Sequence, residues 1–402
     1  MSLLSTAEGY LKELYKDGIT RLSNMEATSL NELKTDPQGI GGKGAYFTVN
    51  VGANERGTGN ISELEALHQA NVQETVKGRI QPKIIEHTIR ASGLGISVGD
   101  SLDEAVAETL QYQFDEGLIN VGKEKNAQLY RDGTGRLAQV NGAVSGDDDI
   151  TIDNGVGTHL RVGMYVDVYL STTKEVDSKK IIASDPFANT IKLESAVTCS
   201  DDAWIFREDV TTTSTGSTKE VPGFLNVTDD GTLTSTYEAI DRTVYNLFDG
   251  LTIDANSANL SDDLLQDALS RVLVASGKKP KKLFMNPAGQ FRKYLAFLTP
   301  MKTFRNGDKL DSGYTEMPTH NGMTIIDDSD CGFSDVFLID TDDVKKFVAK
   351  ELHWDDQSGA ILKQVDMTDS FWAYAKEYYN VGSRAPNRSI RIKNLNRPTY
   401  TY

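Results

Sequence analysis

Residues 101–125 read Ser-Leu-Asp-Glu-Ala-Val-Ala-Glu-Thr-Leu-Gln-Tyr-Gln-Phe-Asp-Glu-Gly-Leu-Ile-Asn-Val-Gly-Lys-Glu-Lys. Ser101 and Glu104 have the spacing of a capping box, in which each side chain satisfies a backbone N–H that the first helical turn leaves without a partner. Leu102, Val106, Leu110, Phe114 and Leu118 then recur at every fourth residue. Each such step overshoots a helical turn by about 40°, so the apolar stripe winds around the axis. The pattern predicts one long helix over 101–125, crossed obliquely by whatever it packs against.

Upstream, residues 73–98 hold short strand-like pieces interrupted at Pro82, which cannot donate to a sheet ladder. Residues 45–51 read as a strand, flanked by the glycines at 39, 41, 42 and 44 and by the loop from Gly52 to Asn60. Residues 37–72 therefore predict an extended excursion with little capacity for a core of its own. The first 36 residues carry Leu11, Leu14, Tyr15, Leu22, Met25, Leu30 and Leu33 at helical steps, an amphipathic arm that needs a surface to cover it.

Downstream, Gly133 and Gly135 break the helical pattern, and Gly142, Gly146 and Asp147 to Asp149 form a turn-rich boundary. Five short alternating segments follow between residues 150 and 208, a spacing that predicts a small β-barrel or curled sheet. Residues 211–218 read as a linker. Ser235-Thr-Tyr-Glu238 repeats the capping box before Ile240, Val244, Leu247 and Phe248, predicting a helix. A second helix is expected near 262–276, closed by Gly277, and a third after Asn286-Pro287, with strands at 283–285, 323–326 and 336–339. Strand-like runs at 371–379 and 388–393 predict a return to the sheet begun near residue 75. The fold class is α+β.

The chain has 402 residues, with 42 basic and 58 acidic side chains and a formal charge of −16. Such a balance opposes a large nucleic-acid footprint. Cys199 and Cys331 are too far apart for a zinc knuckle and too few for a disulfide framework. No apolar run approaches a bilayer span, and Met1-Ser-Leu-Leu4 lacks a basic leader, so assembly in the cytoplasm is expected. Gly39 to Gly44 fails as a phosphate-binding loop: Pro37 stands at its first glycine, and Gly44 where magnesium binding needs Ser or Thr. The five histidines are scattered, and no serine sits in a nucleophile elbow. The acidic clusters at Asp147–Asp149, Asp327–Asp330 and Asp340–Asp343 lack the alternation of a calcium loop and read as solvated turns. Lys278, Lys279, Lys281 and Lys282 form the strongest basic patch, either a solvated flank or a phosphate contact. No catalytic, cofactor or metal constellation emerges.

The order of these elements resembles phage major capsid proteins of the HK97-like fold. Leu129-Tyr-Arg-Asp-Gly-Thr-Gly-Arg-Leu-Ala138 looks like the family's passage into its axial domain, Leu283-Phe-Met-Asn-Pro287 like a strand-to-helix corner there, and Ser389-Ile-Arg-Ile392 like its last peripheral strand. The resemblance implies an N-arm at 1–36, an E-loop at 37–72, peripheral strands and spine helix at 73–143, and a β-rich insertion at 144–210. It further implies an axial domain at 211–340 and a return to the peripheral domain at 341–402. Lys43, Tyr46, Phe47 and Arg56 become the candidate inter-subunit residues, and the stripe from Leu102 to Leu118 the spine packing. The implied function is a self-assembling shell of pentamers and hexamers in the virion, enclosing double-stranded DNA through weak contacts. A separate scaffolding protein and a portal would assist, with room for a decoration protein and no membrane. The competing reading is another virion structural or attachment protein whose β insertion binds a ligand.

Overall fold

The computed structural model describes residues 28–92, 103–153, 159–298 and 319–398, apart from 38, 53, 54, 64, 70, 71, 357, 358, 360, 362 and 366. The long helix runs Asp103–Leu129. Ser101 and Leu102 lie outside the described residues, as do the side chains of Glu104, Val106, Leu110 and Phe114. Leu118, the last of the stripe, is 1% exposed, and Val121 and Leu129 continue the buried face. The helix lies close on strand β3 (Lys83–Ser92): a Cβ added at Gly117 would sit 2.3 Å from His87 Nε2.

β3 pairs antiparallel with β19 (Ser370–Gly382), from Lys83 opposite Tyr379 to Ser92 opposite Ser370. β19 also pairs with β17 (Lys345–Trp354) and β18 (Lys363–Gln364). The expected return of the C-terminal segment to an N-terminal sheet is thus realised at 370–382, and the intervening chain is inserted between its two halves. Gln81-Pro82 separates β3 from β2 (Glu74–Ile80), which pairs with β1 (Ala45–Gly52) in a two-stranded ribbon. Phe47 stands opposite Gly78 in that ribbon, and its ring fills the space a side chain would need there.

The β-rich unit is a six-stranded antiparallel sheet in the order β4 (Arg136–Gln139), β9 (Trp204–Arg207), β6 (Tyr165–Leu170), β7 (Thr173–Asp185), β8 (Thr190–Cys199), β5 (Val144–Thr151). A bridge between Val140 and Ile152 joins its two edges, with Asn141 N donating to Thr151 O and Asp153 N to Gln139 O. The contact brings the first and last strands of the sheet together, as in a curled barrel. Leu137, Ile150, Val166, Val168, Ile181, Leu193 and Ile205 fill the interior. The sheet draws its first strand from before residue 144, because Arg136–Gln139 pairs with the last strand.

A second six-stranded sheet is mixed: β12 (Leu251–Asp254), β20 (Ile390–Lys393), β16 (Val336–Ile339), β13 (Lys282–Met285), β15 (Met323–Asp327) and β14 (Thr319–His320). The helix Asp262–Ser276 packs on it, capped by the Ser261 hydroxyl, which accepts from Leu264 N, and ended by Gly277 at φ +69°. Asn286 caps the next helix, Gln290–Leu298: its Oδ1 accepts from Ala288 N and Gly289 N.

Two expectations are corrected. The segment after Ser235 is not a helix but a hairpin, Thr236–Tyr237 with Ile240–Asp241, followed by a single 3₁₀ turn at Asn246–Phe248. Glu238 and Ala239 take φ +50° and +66°, which no right-handed helix accommodates. Buried Arg242 outweighs local propensity there, donating to Asp229 Oδ2 and to the Asn226 carbonyl. The second correction is the destination of 388–393. It joins the mixed sheet, parallel to β12 and antiparallel to β16, because Ile390 and Ile392 insert fully into that sheet's core.

The chain crosses the C-terminal end of the long helix at Gly223, where an added Cβ would lie 2.2 Å from the Leu129 carbonyl oxygen. Backbone cannot yield as a side chain can, so Gly223→Ala should cost about 1–3 kcal/mol in denaturant unfolding. The same measurement on Gly277→Ala, which faces open space but has a left-handed backbone, should show about 1–2 kcal/mol. An unaltered unfolding midpoint for Gly223→Ala would show that the crossing is loose.

Candidate subunit interface

The ribbon alternates with the period of a strand. Phe47 turns inward, stacks with Phe248 at 6.3 Å and packs on the central core, whereas Tyr46 is 59% exposed. Lys43 and Arg56 are also exposed. Along the connection beyond β1, Ile61, Leu67 and Val72 stand in solvent, the last two more than 80% exposed. Four large apolar side chains on one excursion are thus exposed in the single chain. Of the four residues predicted for an inter-subunit loop, three face outward and Phe47 serves its own chain.

The ribbon is fixed to its own chain by Phe47 on Phe248 and by Arg79 N, which donates to the Glu238 carbonyl, while a separate buried polar cluster surrounds the last two turns of the long helix. Arg131, 2% exposed, donates to Glu124 Oε1 at 2.8 Å and to Glu220 Oε1 at 3.1 Å. Arg207, from the barrel, donates to Glu124 Oε2 at 2.7 Å. Lys125 pairs with Glu377 of β19 at 2.7 Å, both almost fully buried. Asn126 Nδ2 donates to both oxygens of Asp328 and to Asp330 Oδ2, and Asn126 Oδ1 accepts from Ser29 N. The Ser29 hydroxyl bonds Tyr130 OH and Asp328.

Electrostatics follow from this packing. Burial opposes the charge on Glu124, yet the guanidiniums of Arg131, Arg207 and Arg161 hold its carboxyl down to about 2. Burial dominates for Glu220 and raises it, although Arg131 pulls the other way. His159 Nε2 donates to the Asp330 carbonyl at 2.9 Å while its Nδ1 faces Arg131 Nε at 3.5 Å. Burial, then the Arg131 charge, push its imidazole down to about 3.

The acidic clusters divide on structure. Asp328, Asp330, Asp340 and Asp343 are buried and hydrogen-bonded, which corrects their reading as solvated turns. Asp147, Asp148 and Asp149 do lie at the surface with oxygens within 4.8 Å of one another, but Lys192 already pairs with Asp148 and Asp149. Within the lysine run, Lys281 pairs with Asp342 and Lys282 with Glu32, while Lys278 and Lys279 extend into solvent. Cys199 and Cys331 are free, buried thiols.

A capsid structure of cyanophage A-1(L) superposes on the chain with a TM-score of 0.56 at 10% identity, covering 93% of each chain. The fold is that of a phage capsid subunit. The native GTA particle capsid superposes with a TM-score of 0.46 at 11% identity, over 92% of this chain and 90% of that one. For a Mycobacterium phage Ogopogo chain the values are 0.44 and 11%, over 91% and 92%. No protein-family model and no curated protein matches the sequence. Among the described residues, no helix of this capsid-like chain is long and apolar enough to cross a membrane.

The buried cluster was not foreseen. Glu124 lies in the last two turns of the helix and Arg131 two residues beyond its end, but charges at that spacing usually lie in solvent, and nothing local marks Glu220 or Asp328 as their neighbours.

His159 supplies a test. Between pH about 6.5 and 3 the unfolded chain binds a proton on this imidazole that the folded chain refuses. Its contribution is therefore fully present above that window and lost as pH falls through it, at up to about 1.4 kcal/mol per pH unit. His159→Gln keeps a donor for the Asp330 carbonyl and has no proton to gain. In denaturant unfolding of unassembled subunits, the stability gap between wild type and variant should narrow from pH 7 to pH 4. A constant gap would mean that His159 titrates normally in the folded state.

Proposed function

We propose that this chain is the major capsid protein of a tailed bacteriophage, a non-catalytic subunit that assembles as pentamers and hexamers into an icosahedral shell around double-stranded DNA. The observation that carries the reading is the shared fold with a phage capsid subunit over 93% of both chains. The uncovered apolar excursion supports it independently. In this reading the 45–80 ribbon and its connection are the E-loop, lying over a neighbouring subunit, with Lys43, Tyr46 and Arg56 at the contact. The Asp103–Leu129 helix is the spine. The β17–β19–β3 sheet is peripheral, the mixed sheet axial, and the closed barrel an insertion between them.

The shell would form in the host cytoplasm with a separate scaffolding protein and a portal, and would remain in the virion, where a decoration protein has room to bind. DNA contacts would be weak and non-specific. A charge of −16 disfavours phosphate, and half of the lysine run is already neutralised by Asp342 and Glu32.

Electron microscopy of the purified chain, with a scaffolding protein supplied where needed, should show closed shells. Hydrogen exchange across 45–80 should be fast in free subunits and slow in those shells. Only small soluble oligomers under every condition, with equal exchange throughout, would overturn the proposal.

A further inference from the structure

Where the spine helix, β3, the barrel and the 210–221 crossing meet, the fold leaves a half-open pocket of about 190 Å³, room for several waters. Its charged walls are Lys83, Arg207, Lys219, Glu86, Glu124 and Glu220, with Gln128 and Tyr379 beside them. The two inner carboxylates are committed: Glu124 is divided between Arg131 and Arg207, and Glu220 is bound to Arg131. Arg207 shares that commitment, but among the described residues neither lysine pairs with a carboxylate: Lys83 donates to the Thr218 carbonyl and Lys219 to the Asp209 carbonyl, both neutral acceptors. Arg207 spends one terminal nitrogen on Glu124, while its Nε is buried without a partner. Glu86 is the third carboxylate at the pocket, so with Arg131 behind the wall four cations face three carboxylates.

We propose that this pocket binds a small oxyanion, a phosphate or a carboxylate, between Lys83, Arg207 and Lys219. A carboxylate or phosphate presents two or more anionic oxygens and so can accept from several cations at once, in bonds stronger than those a neutral carbonyl makes. Burial pushes the Lys83 ammonium below its usual range, and an anion beside it would favour its charged form. Because the three cations belong to β3, the barrel and the crossing, the anion would bolt three units together at the root of the ribbon. A free phosphate and the carboxylate of an Asp or Glu on a second copy share this chemistry.

Isothermal titration of inorganic phosphate into full-length, unassembled subunits, at constant ionic strength in chloride, should reveal one saturable site. Lys83→Gln should weaken it by about tenfold or more, the loss of one charge-assisted hydrogen bond. Lys219→Gln, at an exposed position, should weaken it in the same direction and keeps the test open should Lys83→Gln fail to fold. Lys279→Gln should leave it unchanged. No saturable site, or equal binding in all four proteins, would overturn the proposal. Shells reconstructed without phosphate and after phosphate soaking separate the sources. An acidic side chain of a second copy in the pocket assigns it to subunit contact, a discrete ion assigns it to the free anion, and a pocket empty in both contradicts the proposal. The titration needs no assembly, so its failure leaves the capsid reading standing, and failure to assemble leaves the pocket measurable.

Discussion

Around the last two turns of the long helix, charged and amide side chains are largely withdrawn from water and bonded mainly to one another, although among the described residues Arg131 Nη2 and Arg207 Nε find no hydrogen-bond partner. Glu124 bridges the helix to the barrel through Arg207, and Arg131 carries it on to Glu220 of the crossing. Lys125 reaches β19, and Asn126 reaches Ser29 of the short helix Thr28–Asn31 together with the 328–330 loop. Charges in such a place are costly unless every partner is present. Breaking one buried pair typically loses about 3–5 kcal/mol, while replacing whole pairs by apolar side chains is often neutral. We infer that the cluster contributes less to total stability than to the selection of one arrangement among units that are otherwise separate.

Those units have separate reasons to exist. The barrel closes on its own aliphatic interior, and the mixed sheet buries Ile253, Leu269, Leu283, Leu338 and Ile390 against its helix. The third apolar core, around Tyr130, Phe224, Phe248, Phe284 and Phe337, lies beside the polar cluster and recruits residues from all along the chain. Tyr130 belongs to both: its ring meets Phe224 edge-on at 5.5 Å while its hydroxyl bonds Ser29. The ribbon is held to this core through Phe47 on Phe248.

Legibility in the sequence followed the range of the interactions. The long helix, the Gly277 stop, the Asn286-Pro287 corner and the barrel strands are set by neighbours a few residues away, and all could be read. The 235–248 segment could not, because Arg242 and the left-handed turn at Glu238-Ala239 act through Asp229 and Asn226 rather than through the capping pattern. The final strand carried the right alternation but not its destination, which depends on where Val336–Ile339 stands. The buried aspartates near 328 and 340 resembled turns because their partners lie elsewhere in the chain. In the candidate interface, the alternation that turns Tyr46 out and Phe47 in was available from strand periodicity alone.

The claim that one buried cluster holds the units in register is most directly tested by hydrogen exchange across the whole unassembled chain in Asn126→Leu. This change keeps the side-chain volume, leaves Ser29 N without its acceptor, and removes the amide that donates to Asp328 and Asp330. The account predicts that protection falls together at 28–33, at 328–331 and in the final turns of the long helix, while the barrel interior remains protected. Loss confined to residue 126 and its helical neighbours would contradict it.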